Sequence, residues 1–259
     1  MIVSTVIFIY IFLLGAILGS FYNVVGLRIP KKESILLPRS ACPVCHKKLK
    51  AVEMIPLLSY ILQKGKCKTC RNAISPLYPF IEFFTALLFV ISPLLMGWSN
   101  EVMISWSLIS FIMIVVVSDI KYMIIPDAVN LFFLLLFAIE RILIPLNPWW
   151  DPIAGLVVGG LVPLIIILIS KGGLGGGDMK FLAVLGLILG WKLVLLCFFL
   201  ATLIGTVAGL IGLSTGHIKK SRPFPFGPFL GIGALIAYFF GKDLIDLYIH
   251  FLFLNGPFL

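Results

Sequence analysis

Charge is scarce in this chain: Asp, Glu, Lys and Arg make up 12% of its 259 residues, about half the share of an ordinary soluble domain. A water-soluble fold lacks the polar shell it needs here. With 61% hydrophobic residues and a mean hydropathy of +1.14, lipid is left as the solvent. Basic residues are missing ahead of the first apolar run at 2–18, so the positive n-region of a cleaved signal peptide is missing too. That run is expected to remain as the first span, with Met1 on the outer side. Half of the 20 Lys and Arg residues lie at 30–75: Lys31, Lys32, Arg39, Lys47, Lys48, Lys50, Lys64, Lys66, Lys68 and Arg71. Acids are nearly absent there, with Glu33 and Glu53 alone, and no stacking aromatics alternate with the charges. The net charge of +9 is therefore not the footprint of a single-strand nucleic-acid groove. A basic loop between apolar runs is the positive-inside signal, and it suits anionic lipid head groups.

A spanning helix needs about 20 mostly apolar residues. Candidate spans fall at about 2–25, ended by Arg28 and Pro30, then at 79–98, 103–120, 128–144 and 153–170. The apolar stretch 179–213 is too long for one helix and divides at Gly190-Trp191. A further span covers 226–240, and the piece at 244–254 is too short to cross and reads as interfacial. The fold class expected is an all-α polytopic membrane protein of about eight transmembrane helices with a small cytoplasmic insert at 30–75. Alternation from an outside N-terminus puts the insert, the Lys121 turn, the loop at 171–180 and the loop at 217–222 (Lys219, Lys220, Arg222) on the cytoplasmic side. The outer loops near 100–101 and 147–151 hold acids and no base, so topology and charge agree.

Within the insert, Cys42-Pro43-Val44-Cys45 is followed after 21 residues by Cys67-Lys68-Thr69-Cys70. Two Cys-x-x-Cys knuckles at this separation predict a tetrahedral zinc site, each knuckle offering two thiolates on one side of a turn. Neighbouring lysines would help keep the thiols deprotonated. Two disulfides are the alternative, and they require an oxidising compartment that a cytoplasmic loop does not have. Four thiolates leave no open position for water, so the metal would be structural and would supply much of the insert's folding energy. Cys197 stands alone in an apolar span and reads as packing.

Carboxylates within apolar spans are costly and signal function. Asp119 closes the run FIMIVVVSDI, and Asp178 ends Gly175-Gly176-Gly177-Asp178 at the entry to another span, ahead of Lys180. Both are expected at cytoplasmic helix ends, at about the same depth. Two carboxylates brought close share one proton, so that one activates water while the other polarises a carbonyl. The glycine run would let an extended substrate approach. The plainer reading is that each aspartate caps a helix or pairs with Lys121 or Lys180. Asp127, after Pro126, is better read as a cap. Glu140 and Arg141, adjacent and so on different helix faces, read as structural or interfacial.

Asp119 with Ile125-Pro126-Asp127, and the Gly-x-Gly-Asp of Gly175, Gly177 and Asp178, resemble the two motifs of bacterial type IV prepilin peptidases, intramembrane aspartic peptidases of the GxGD type. Gly19-Ser20-Phe21-Tyr22-Asn23-Val24 with Arg28 and Pro30 is similar to the family's first-span signature. The cysteine knuckles, Ile55-Pro56-Leu57-Leu58-Ser59-Tyr60, Tyr78-Pro79-Phe80-Ile81-Glu82 and Pro225-Phe226-Gly227-Pro228-Phe229 resemble further blocks, in order, from about 15 to 241. The resemblance implies a first transmembrane helix at 1–29, a cytoplasmic zinc-binding insert at 30–75 and an aspartic peptidase core at 76–259. It implies Asp119 and Asp178 as the catalytic dyad, in the bacterial inner membrane with the site facing the cytoplasm. The substrates implied are type IV prepilins or pseudopilins of secretion and competence systems, cut after a glycine. It also implies methylation of the new N-terminus with S-adenosylmethionine, although the insert contains no glycine-rich nucleotide loop. Gly175, Gly177, Lys180, Asp127, Asn23, Arg28, Glu53 and Glu82 are the candidates for substrate or cofactor contact; Glu53 and Glu82 either meet leader lysines or pair within the protein. The rival readings are a proton- or cation-coupled transporter, which would favour acids at mid-span, and a non-enzymatic zinc-dependent assembly factor.

Overall fold

The structure is a computed structural model that describes residues 2–216 and 224–255. The basic loop expected at 217–222 and the end of the C-terminal tail lie outside the described residues. The chain divides into two compact units, residues 1–126 and 127–259. No strand occurs among the described residues, only two isolated β-bridges in the polar insert.

In the first unit, helix α1 (Ile2–Arg28) leads into the insert, which holds the five-residue helix α2 (Leu58–Leu62); α3 (Leu77–Met96) and α4 (Glu101–Tyr122) follow. α1 packs on α3 and α4, and these two on each other. Without water between helices, association depends on how closely backbones can approach, which small residues four apart allow. Gly15 and Gly19 supply that stripe on α1. A Cβ at Gly15 would stand 2.7 Å from the Ala86 Cα, and one at Gly19 would stand 2.8 Å from the Glu82 Cα. α4 is apolar nearly all round, as a largely buried helix must be, and carries Leu108, Ile109, Phe111 and Val115 fully buried. Trp106 satisfies its indole by donating to the Phe89 carbonyl at 3.0 Å.

In the second unit, α5 (Asp127–Leu143), α6 (Asp151–Ile169), α7 (Gly176–Leu189), α8 (Trp191–Ser214) and α9 (Gly227–Asn255) surround α7, which touches the other four. α6 and α7 meet backbone to backbone. A Cβ on Gly155 would fall 2.0 Å from the Gly186 carbonyl oxygen, and one on Gly159 would fall 2.5 Å from that of Leu182. The end of α7 and the start of α8 are fixed by charge. Buried Arg141 donates Nε and Nη2 to the Ile188 carbonyl at 3.1 and 2.7 Å, a cation on the negative end of α7. Asp151 accepts the Trp191 amide at 3.1 Å and so caps α8. Arg141 thus has the structural role its sequence position suggested. Cys197 is buried and donates to the Leu230 carbonyl at 3.6 Å, as packing predicts.

Six helices (α1, α3, α4, α6, α8 and α9) are long and apolar enough to cross a membrane. α5 and α7, at 17 and 14 residues, fall short of that length, so the expected count of about eight transmembrane helices is approximate among the described residues. The division at Gly190 falls where the sequence put it, with φ +80 there and the Asp151 carboxylate 2.3 Å from where a Cβ would stand. One expectation fails. The piece at 244–254 is no separate interfacial segment but the continuation of α9, a single helix of 29 residues. Lys242, Asp243 and Asp246 break the apolar run without breaking backbone hydrogen bonding.

Candidate active site and metal centre

Asp119 lies in the last turn of α4 and is buried at 5% exposure. The chain turns sharply after it: the Met123 amide donates to the Asp119 carbonyl at 2.8 Å with Met123 left-handed at φ 54, and the Ser118 hydroxyl donates to the Ile124 carbonyl. Sequence reasoning passed over Ser118, whose part in this turn depends on a bond that no motif announces.

Asp178 is the third residue of α7, half-buried, behind Gly175 at the N-cap and the glycines Gly176 and Gly177. A Cβ on Gly175 would stand 2.9 Å from the Asp178 Oδ2, the movable end of that side chain. Antiparallel α6 gives its depth. The pairs Gly155–Gly186 and Gly159–Leu182 set a register, which carried onward places Asp178 opposite Pro163. α6 runs on to Ile169, about 9 Å further at 1.5 Å per residue. Asp178 is therefore recessed below the end of its neighbouring helix, and the glycine-rich segment 172–175 descends to reach it.

The other candidates are mostly engaged within the protein. Lys180 donates to Asp127 at 2.7 Å, both partners well exposed, and Asp127 is the first residue of α5. Arg28 donates to the carbonyls of Ser34, Ile35 and Pro38 at 2.9, 3.2 and 2.7 Å, holding the start of the insert. Glu82 is buried and accepts the Leu57 amide at 2.8 Å, tying the insert to α3 where Leu57 turns at φ 60. Asn23 donates to the Gly19 and Tyr78 carbonyls at 3.2 Å each. Glu53 accepts the Lys50 amide at 2.9 Å and lies 3.9 Å from Lys47. The Lys50 amide is the main influence holding its carboxyl below the usual range, with Lys47 adding to it against the opposing effect of burial. For Glu53 and Glu82, pairing within the protein describes the contacts.

The four cysteines converge, with ligand atoms within 4.8 Å of one another. The Cys42 and Cys70 sulfurs are 3.7 Å apart and those of Cys45 and Cys67 are 4.0 Å apart. A tetrahedron with metal–sulfur bonds of about 2.3 Å has edges of about 3.8 Å, whereas a disulfide needs about 2.05 Å. The donor set fits a metal ion, and all four thiols are free. The two knuckles repeat one local fold. The amides of Cys42 and Cys67 donate to Lys47 and Asn72, and those of His46 and Arg71 donate back to Cys42 and Cys67, with His46 and Arg71 left-handed at φ 53 and 57. Amides, rather than the lysines expected, lead in acidifying the first thiol of each knuckle. The Cys45 and Val44 N–H groups bring Cys42 down to about 6, and those of Cys70 and Thr69 lower Cys67. Cys70 is pulled down by the Asn72 amide, but burial and the other three thiols outweigh this and raise it to about 11. A bound cation would hold all four as thiolates.

Residues 13–96 match the bacterial peptidase A24 N-terminal domain, and residues 106–210 match the type IV leader peptidase family. Over 239 residues the chain is 42% identical to a prepilin leader peptidase/N-methyltransferase of Bacillus subtilis, covering 92% of this chain and 96% of that one. The chain belongs to the type IV leader peptidase family. Relatives of the same name from Aeromonas salmonicida and Pseudomonas aeruginosa are 34% and 32% identical over 276 and 271 residues, each covering 92% of both chains. No solved structure matches. Asp119 and Asp178 both fall in the leader-peptidase segment, and the four knuckle cysteines in the N-terminal one. No relative named here carries a transporter's name, and nothing supports that rival.

Proposed function

We propose that this member of the leader peptidase family removes the leader of type IV prepilins and pseudopilins with Asp119 and Asp178 acting as a pair, at the cytoplasmic face of the bacterial inner membrane. The observation that carries the reading is that each aspartate ends or begins an otherwise apolar helix inside the segment 106–210 that matches the family. One carboxylate takes a proton from water, whose oxygen attacks the scissile carbonyl. The protonated partner hydrogen-bonds the carbonyl oxygen and then gives its proton to the leaving amine. Two charged carboxylates side by side repel, so the pair holds one proton between them and titrates as a unit. A prepilin leader is basic and cytosolic while the segment after it is apolar, so the junction to be cut lies at the depth of a recessed carboxylate. The positive-inside reading of the basic insert supports the orientation.

We further propose that the metal at Cys42, Cys45, Cys67 and Cys70 is zinc with a structural role, since four thiolates complete its shell. The name shared by the relatives supports methylation of the new N-terminus as a second activity, with S-adenosylmethionine supplying the methyl group. The cysteines, facing one another, are not the residues that would hold that donor. Purified protein, incubated with a prepilin and S-adenosylmethionine and followed by intact mass, tests the whole reading: loss of the leader plus one methyl group is expected. Asp119→Asn or Asp178→Asn should abolish cleavage while the protein still inserts, and full cleavage by either variant would remove the dyad.

A further inference from the structure

The insert does not stand clear of the helices it joins. Leu57 donates its amide to Glu82 at 2.8 Å, and Glu82 is the sixth residue of α3. Side chains on a helix lean towards its N-terminus, so Leu57 is level with the first two turns of α3. α1 reaches further. Asn23 donates to the Tyr78 carbonyl at the start of α3, and α1 continues for five residues beyond Asn23, about 7 Å at 1.5 Å per residue. Both helices are apolar enough over these turns to cross a membrane. At Leu57 the chain has therefore returned from the polar loop to the boundary zone of the bilayer.

The helix that starts there, α2, turns an apolar side outwards. Leu58, Ile61 and Leu62 follow the i, i+3, i+4 spacing of one helix face and are 49%, 68% and 66% exposed. The amides of Leu58, Ser59, Ile61, Gln63, Gly65 and Lys66 all donate to carbonyls within residues 55–63, as residence away from water requires. Residues 54–81 contain Lys64, Lys66, Lys68 and Arg71, all exposed, and no acid. An outward apolar face flanked by cations is the pattern of an interfacial helix. The cations also select the occupant. A basic prepilin leader would be repelled, and a second copy would bring the same charges. Three side chains are also far less than the roughly 800 Å² a side of a stable protein–protein contact. Anionic lipid head groups complement the cations.

We propose that α2 is an interfacial anchor: Leu58, Ile61 and Leu62 lie in the lipid of the adjoining leaflet while Lys64, Lys66 and Lys68 meet its anionic head groups. This rests on the membrane-spanning reading of the helices and not on the peptidase reading. Cys67 and Cys70 follow within eight residues of Leu62, so the anchor holds the second cysteine knuckle at the membrane surface.

The test places the photoreactive residue p-benzoylphenylalanine at Ile61 of the full chain, co-reconstituted with a prepilin in vesicles of equal parts phosphatidylcholine and phosphatidylglycerol. Illumination followed by intact mass should show one phospholipid added, with phosphatidylglycerol captured at least about threefold over phosphatidylcholine. An adduct with prepilin or with a second copy, no adduct, or equal capture of the two lipids would each overturn the proposal. The second arm is the double variant Ile61→Ser/Leu62→Ser in nanodiscs, where trypsin reaches both faces. It should be cut at Lys64 and Lys66 about tenfold faster than wild type, with the same melting temperature because both side chains are exposed. Equal cutting rates, or a melting temperature lowered by lost internal packing, would overturn it as well. Neither arm reads prepilin cleavage, so a chain that leaves prepilin whole would sink the peptidase reading and leave this test standing.

Discussion

Replacing Gly155 by alanine perturbs Asp178 from a distance, through the α6–α7 contact that sets its depth. The added methyl would lie 2.0 Å from the Gly186 carbonyl oxygen, where carbon and oxygen in contact rest about 3.3 Å apart. The helices must part by about 1.3 Å, or slide. Overpacking of this kind costs about 1–3 kcal/mol. A displacement of about 1 Å at a catalytic group lowers turnover on the order of 100-fold. Gly160→Ala is the matched control on the same helix, because its Cβ would meet Ala183 at an ordinary 3.6 Å. Helix propensity should make that variant neutral or up to about 1 kcal/mol more stable. Thermal unfolding in detergent and prepilin cleavage followed by intact mass are measured on both. The expected result is a lower melting temperature and slow cleavage for Gly155→Ala, with Gly160→Ala like wild type. If the two variants behave alike in both assays, the backbone contact does not govern the site and the reasoning is wrong.

Gly175→Ala should strike the Asp178 carboxylate directly, given 2.9 Å to its Oδ2, and reduce cleavage with insertion into membranes intact; normal turnover would refute the steric account. Replacing Cys42 and Cys67 together by serine should release about one zinc per chain and open the insert to trypsin at its lysines, and retained zinc by metal analysis would dismiss the four-sulfur site. Arg141→Met should lower stability by about 2–3 kcal/mol, because the Ile188 carbonyl loses both guanidinium bonds, read as a shift in the unfolding midpoint; an unshifted midpoint would show those bonds to be dispensable.

The sequence was informative where local rules suffice. Apolar runs longer than the bilayer reveal helices whatever their partners, and a fixed Cys-x-x-Cys spacing reveals a turn. Gly190 could be placed because a left-handed residue between two apolar runs leaves few alternatives. What failed to show depends on register and burial. The recess of Asp178 follows from Gly155 facing Gly186, a pairing between segments that composition does not encode. The apolar pattern divides the final helix into 226–240 and 244–254 because Lys242 and Asp243 interrupt it, yet charges stop a span's apolar run without stopping the helix itself. Glu53 and Glu82 are candidates through the family resemblance and through the leader lysines they could meet, and both are occupied by amides of the chain itself.

An aspartate set about 9 Å inside the rim of its neighbour acts as a gauge of thickness. Whatever meets its carboxylate has to pass the last six residues of α6, so the distance is measured by the register of two helices.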